Sequence, residues 1–194
     1  MGVGAVIRVH AAALAVAAGA VAVPGAAAAS PEPAPAGLVN AAVQRLLTAD
    51  AVAAAKWGTD SPVADSARAA HVLDAVAAQA GARGVDPEFA RRVFRDQIDA
   101  TEAVEYARFA QWSLHPDQRP VVRPDLSAVR TRIDQLTTRM IDELAADPGT
   151  LRSPGCPVLL LGARVAAVAR YRLAPPYLEA LVRATQGYCL ARPT

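Results

Sequence analysis

FRDQIDATEAVEYARFAQW, residues 94–112, decides the fold. Wound at 3.6 residues per turn it places Phe94, Ile98, Phe109 and Trp112 on one apolar stripe, and Glu105 falls within roughly 40° of all four. A carboxylate is therefore set on the buried face of a helix. Thr101 stands one turn earlier on the same side, whereas Asp96, Asp99, Glu102 and Tyr106 point elsewhere. Burying an ionised carboxylate is costly unless it is paired, hydrogen-bonded or neutralised. The rest of the chain must supply cationic partners, or Glu105 must accept a raised pKa.

On either side the pattern is helix after helix. A first helix is expected from about Leu38 to Trp57, with a bend at Thr48-Ala49-Asp50, and a second from Asp65-Ser66 to a stop before Gly84, Gly81 being an earlier candidate end. Asp86-Pro87 supplies an N-cap and a first-turn proline for the long third helix, which reaches about Leu114. After the proline-rich HPDQRPVVRP, Asp125 caps a fourth helix through about Ala146. Two shorter ones follow, about Pro157 to Arg172 and Pro176 to Leu190. No stretch alternates with period two between hairpin turns, so strands are not expected. The fold class is all-α, a single-domain bundle of about six helices.

The N-terminus reads as a leader. Arg8 precedes an apolar run from Ala11 to Val23 that is too short to span a bilayer, and Ala27-Ala28-Ala29 offers a small-residue cleavage site. Residues 1–29 are expected to be a cleaved signal peptide, an uncleaved anchor being the competing reading. A proline-punctuated linker covers 30–37, and the domain covers 38–194. Without the leader, 19 basic residues face 18 acidic ones, a balance that excludes a strong field for nucleic acid. Cys156 and Cys189 are the two cysteines, an even pair in a chain expected to be exported, so one disulfide is the default. His71 and His115 are not spaced like a zinc site, and no metal is expected.

The cations are placed unusually. Lys56 is the lone lysine, in the apolar setting AVAAAKW. On a continuous first helix Arg45 and Lys56 lie about 20° apart around the axis, on a face of small side chains. Two readings of Lys56 stay open: a cation reaching into a pocket, or a side chain snorkelling at a helix end beside Trp57. Arg130 lies within roughly 60° of the stripe Leu126, Ile133, Thr137 and Leu144, while Arg132 and Arg139 fall away from it. Arg68 opens the second helix after its cap. Together these residues describe a polar cavity inside a helical bundle. Several interior arginines and one glutamate imply a small ligand with more than one carboxylate or phosphate. No glycine-rich phosphate loop, serine–histidine pair or acidic metal cluster accompanies them.

RDQIDATEAVEY followed by ARFAQW, with VQRLLTADAVAAAKW upstream, PDLSAVRTRIDQL downstream and TQGYC near the end, closely resembles the secreted all-helical chorismate mutases of the AroQ gamma subclass. The resemblance spans nearly all of the chain beyond its leader. It implies an active site inside each subunit, rearrangement of chorismate to prephenate without a cofactor, and commonly a homodimer. It implies further that Arg45 and Arg130 bind carboxylates, that Lys56 and Glu105 address the ether oxygen, and that Arg68 and Thr101 are additional pocket residues. One position departs from the pattern: Val72 stands where a glutamine or glutamate contacting the substrate is expected, with His71 beside it.

A [3,3] rearrangement needs no nucleophile. The protein has to hold a dicarboxylate in a compact conformer and stabilise charge at the breaking ether bond, which suits arginines, a lysine and a protonated glutamate. The alternative is a secreted helical carboxylate-binding protein, an inactive relative, with Val72 as its support.

Overall fold

The computed structural model describes residues 1–2 and 35–190, so the leader and most of the linker lie outside the described residues. The chain divides into two units, Met1–Ser30 and Pro31–Thr194, and the helices below belong to the second. There are eight α-helices among the described residues and no strand: α1 Ala36–Leu46, α2 Ala49–Lys56, α3 Ser66–Gly81, α4 Pro87–Leu114, α5 Leu126–Ala146, α6 Pro148–Arg152, α7 Cys156–Tyr171 and α8 Tyr177–Thr185.

The long central α4 starts and stops where its sequence requires. The Asp86 carboxylate accepts from the N–H groups of Glu88 (2.7 Å) and Phe89 (3.1 Å), two donors that a helix N-terminus leaves unsatisfied. Pro116 disfavours helical backbone at the residue before it, and His115 adopts φ −126°, ψ 81°. Asp65 and Asp125 cap α3 and α5 in the same way, accepting from Arg68 N–H and Ser127 N–H, each at 2.9 Å. α4 packs against α1, α2, α3 and α8, with Val93, Phe94, Ala100 and Val104 fully buried.

Pairs along the helices set their directions. Gln97 of α4 donates to the Ala42 carbonyl of α1 (3.1 Å) while Lys56 of α2 meets Glu105, so α1 and α2 run with α4. Arg45 of α1 meets Thr137 of α5, and Arg123 just before α5 donates to the Trp57 carbonyl, so α5 runs against them. α3 returns into α4 through a short turn, with Arg91 on Asp74 at 2.8 Å, and so runs parallel to α5.

The structure departs from the sequence expectations at four places. α1 begins at Ala36 rather than Leu38, because Pro35 already accepts from Val39 N–H and first-turn residues need no carbonyl behind them. The bend expected at Thr48-Ala49-Asp50 is a break centred one residue earlier, at Leu47-Thr48, where Thr48 N–H bonds back to the Arg45 carbonyl three residues earlier (3.1 Å) and the Thr48 hydroxyl bonds the same oxygen (2.7 Å). Both residues keep near-helical dihedrals, so α2 continues roughly along α1. Pro148-Gly149 does not merely end α5: Asp147-Pro148 repeats the Asp86-Pro87 signature and starts the short α6. α8 ends at Thr185 instead of reaching Leu190. Gly187 lies against α4 so closely that a Cβ there would stand 2.9 Å from the Asp96 carboxylate. The chain then leaves the helix, buries Tyr188, and brings Leu190 N–H to the Leu151 carbonyl at 2.8 Å.

Cys156 and Cys189 form the expected disulfide, closing a separation of 33 residues between the start of α7 and the segment after α8. Both half-cystines belong to or border the main core. Cys189→Ser should lower the unfolding free energy by roughly 3 kcal/mol in the chain-entropy picture, read by urea denaturation of the two proteins. A loss below about 0.5 kcal/mol would mean that the C-terminal segment is held by packing alone.

Candidate active site

Between α1, α2, α3, α4 and α5 lies a cavity of about 560 Å³, within the range of sites that enclose small molecules. Arg45, Lys56, Arg68, Val72, Thr101, Glu105 and Arg130 all line it, so the residues singled out in the sequence are brought to one place. His71 lines it as well, at an exposed position, and His115 does not.

Lys56 and Glu105 form an ion pair on its α2–α4 side. Glu105 is 3% exposed, and Lys56 Nζ donates to Glu105 Oε2 at 2.9 Å and to the Val63 carbonyl at 3.0 Å. The snorkelling reading of Lys56 is thereby replaced by the interior one. Its placement follows from the neighbouring aromatic residues: Trp57 meets Phe109 edge-on at 5.1 Å and Trp112 at 5.4 Å, which fixes the end of α2 against α4 one turn beyond Glu105. Burial raises the Glu105 pKa, and the bond and charge of Lys56 oppose that rise without cancelling it.

Arg45 lies at the other end of the cavity. It is 6% exposed, its guanidinium is over the Phe94 ring at 5.9 Å, and its Nε donates to the Thr137 hydroxyl at 3.4 Å. Its two terminal nitrogens make no hydrogen bond to a described residue. Burial pulls its pKa down to about 10, with Tyr188 and Asp134 acting in the opposite direction. A guanidinium that has lost water without gaining a carboxylate is a place prepared for an anion.

The other cations sit at the mouth. Arg68 and Arg130 are exposed, and the expectation that Arg130 is an inside residue is corrected. The N-terminal half of α5 forms a cavity wall rather than packing on the core, and its buried residues begin at Leu136. Thr101 is half-buried, with its hydroxyl donating to the Gln97 carbonyl at 2.8 Å, which leaves the oxygen lone pairs free to accept. Val72 presents an apolar surface, half-buried.

Periodicity missed three acids. Asp65, Glu102 and Asp134 line the cavity beside Glu105, so four acidic residues face Arg45, Lys56, Arg68 and Arg130. Glu102 had been assigned away from the stripe; it is half-buried at the cavity edge, three residues before Glu105. Its pKa is raised by burial first and by Asp99 next, with Lys56 opposing. Fully ionised, these walls carry no net charge. Taking up a dianion therefore favours protonation of Glu102 and Glu105, the two acids burial has already moved in that direction. Gln79, two turns beyond Val72 on the same face of α3, is a further lining residue that the 72-76-79 spacing could have revealed. The Val63 carbonyl could not have been found, since it comes from a loop without periodicity.

The profile of the family described as Chorismate mutase type II matches residues 36–106. The secreted chorismate mutase of Mycobacterium tuberculosis is 43% identical over 158 residues, covering 81% of this chain and 79% of that protein. The secreted chorismate mutase of Mycolicibacterium smegmatis is 44% identical over 152 residues, covering 78% and 84%. Among solved structures, the chorismate mutase from Burkholderia thailandensis superposes with a TM-score of 0.75 at 34% identity, over 79% of this chain and 98% of that one. With a helical fold that superposes on solved members and this degree of identity along most of its length, the chain belongs to the chorismate mutase type II family, alongside its secreted members.

Proposed function

We propose that the protein is a chorismate mutase, converting chorismate to prephenate by a [3,3] rearrangement. The observation that carries this reading is the pairing, in one cavity, of a buried guanidinium with unspent donors and a lysine–glutamate pair lodged away from solvent. Arg45 clamps one carboxylate from the closed end while Arg130 and Arg68 hold the other from the mouth. Held at both ends, the substrate loses less conformational freedom on reaching its chair-like transition state. Lys56 donates to the ether oxygen as the carbon–oxygen bond breaks, and protonated Glu105 donates beside it. Both interactions strengthen as negative charge grows on that oxygen, so they favour the transition state over bound substrate. Thr101 lines the wall between the two ends. The six electrons move within the substrate and no group on the protein forms a bond to it.

Val72 favours a second reading, a dicarboxylate-binding protein that does not turn its ligand over, because an apolar side chain removes a hydrogen bond where the resemblance implies one. Turnover separates the two. Residues 1–29 act as a signal peptide cut after Ala29, and the chain functions outside the cytoplasm. The secreted relatives and the disulfide support this. Two copies form a homodimer, for which α7 offers an apolar surface: Val158, Leu161 and Val165 are 75%, 61% and 62% exposed. The readouts are an N-terminal Ser30 on the exported protein and a two-chain sedimentation mass that falls to one chain in Leu161→Glu.

The decisive experiment follows chorismate loss with the purified chain from Ser30. The wild type is expected to produce prephenate, and Lys56→Ala and Glu105→Ala to lose about 100-fold or more in kcat while keeping their helical signal and melting cooperatively. Binding without conversion by the wild type would transfer the assignment to the second reading. The pH profile tests the donor role of Glu105. Its pKa is raised, so the protonated, donating form persists above the ordinary carboxylate range and is lost as pH rises further. kcat should fall along that limb, and Glu105→Gln, which donates at any pH, should flatten it. The same limb in the Gln variant would assign the titration to another group.

A further inference from the structure

The α3 wall of the cavity is apolar at Val72, Ala75 and Val76 and ends in an amide, Gln79. Gln79 is half-buried, and its backbone carbonyl is occupied by Arg83 Nη1 at 3.1 Å. Its side-chain amide makes no hydrogen bond to a described residue. An amide on a cavity wall that is not spent on the protein is available, in exchange for water, to what the cavity binds.

The register of the helices shows which end Gln79 serves. α3 and α5 run parallel, and Arg83 Nε on Asp142 at 2.6 Å fixes their relative height. One turn back on each helix are Gln79 and Thr138, both lining the cavity. Thr138 is the neighbour of Thr137, whose hydroxyl receives Arg45 Nε. Arg45 from α1 and Gln79 from α3 therefore flank the same end of the cavity, on either side of α5. The Thr138 hydroxyl is itself spent on the Asp134 carbonyl at 3.2 Å.

We infer that Gln79 is a substrate-binding residue, donating its side-chain amide to the same carboxylate that Arg45 clamps. This rests on the reading of the cavity as a dicarboxylate site and adds a neutral donor on the wall that Val72 leaves apolar. A neutral donor suits this end because Asp134 stands near Arg45, so the local charge is already partly balanced. The anchor comes into play once substrate is bound and holds ground state and transition state alike, so it acts on KM rather than kcat.

The test compares chorismate kinetics and melting temperature for the wild type and three variants. Gln79→Leu, similar in shape and unable to donate, should raise KM about tenfold with kcat within about twofold, the size expected for one hydrogen bond to a charged oxygen. Gln79→Glu should raise KM further at neutral pH by setting a carboxylate against the ligand's own, and the excess should shrink on acidification. Gln79→Lys should return KM to the wild-type value or below. An unchanged KM in the Leu variant overturns the inference, and so does an equal rise in all three, which would mark a packing role. If the wild type does not convert chorismate, the proposed function has failed; if it converts and Gln79 is indifferent, this inference alone has failed.

Discussion

The 2.9 Å contact between Lys56 and the nearly inaccessible carboxylate of Glu105 sets the terms for the bundle around it. Removing two charges from water costs several kcal/mol per ion, and their attraction repays this only when geometry and further bonds are good. The chain provides both. The Val63 carbonyl takes a second ammonium proton, and the Trp57, Phe109 and Trp112 cluster holds α2 in place against α4. These parts serve the pair more than they serve stability, for an apolar pair of similar volume would pack there at lower cost. What the pair leaves in the cavity is an ammonium and a carboxyl group whose orientation is completed on folding.

The two ends of the cavity solve opposite problems. At the Lys56 end, charge is balanced within the protein, and the question is which partner keeps the proton. At the Arg45 end, Asp134 balances the charge only in part, and a ring face and a hydroxyl stand in place of a paired carboxylate. A carboxylate from the protein beside Arg45 would steady the apo fold and compete with the ligand. Asp134 comes near enough to be felt electrostatically without forming an ion pair. The site thus carries a guanidinium without an ion pair in the resting state, which is the condition for gaining free energy when an anion arrives.

Much of this was legible in the sequence because it is periodic or local. Glu105 on an apolar stripe, the caps at Asp65, Asp86 and Asp125, and the place of each of Arg45, Lys56 and Arg68 on its own helix follow from residues close together in the chain, and the motif resemblance added that they meet in one cavity. What stayed hidden depends on a second element. Periodicity places Arg130 on the stripe of α5 but cannot tell a stripe facing packed side chains from one facing a void, so its exposure was missed. α8 ends at Thr185, just before Gly187 comes close to the Asp96 carboxylate of α4, a contact that its own segment does not announce. The acids Asp65, Glu102 and Asp134 each look like ordinary surface residues on their own segments. Only the assembled cavity reveals that they line the same space.

The described cavity walls come from five helices of one chain. A pocket built across two chains is subject to mass action, and dilution below the association constant dismantles it. A pocket closed by a single chain keeps its geometry at any concentration, and its specific activity does not fall with dilution. Wherever a catalyst works far below the concentration at which copies would associate, that independence keeps its site whole.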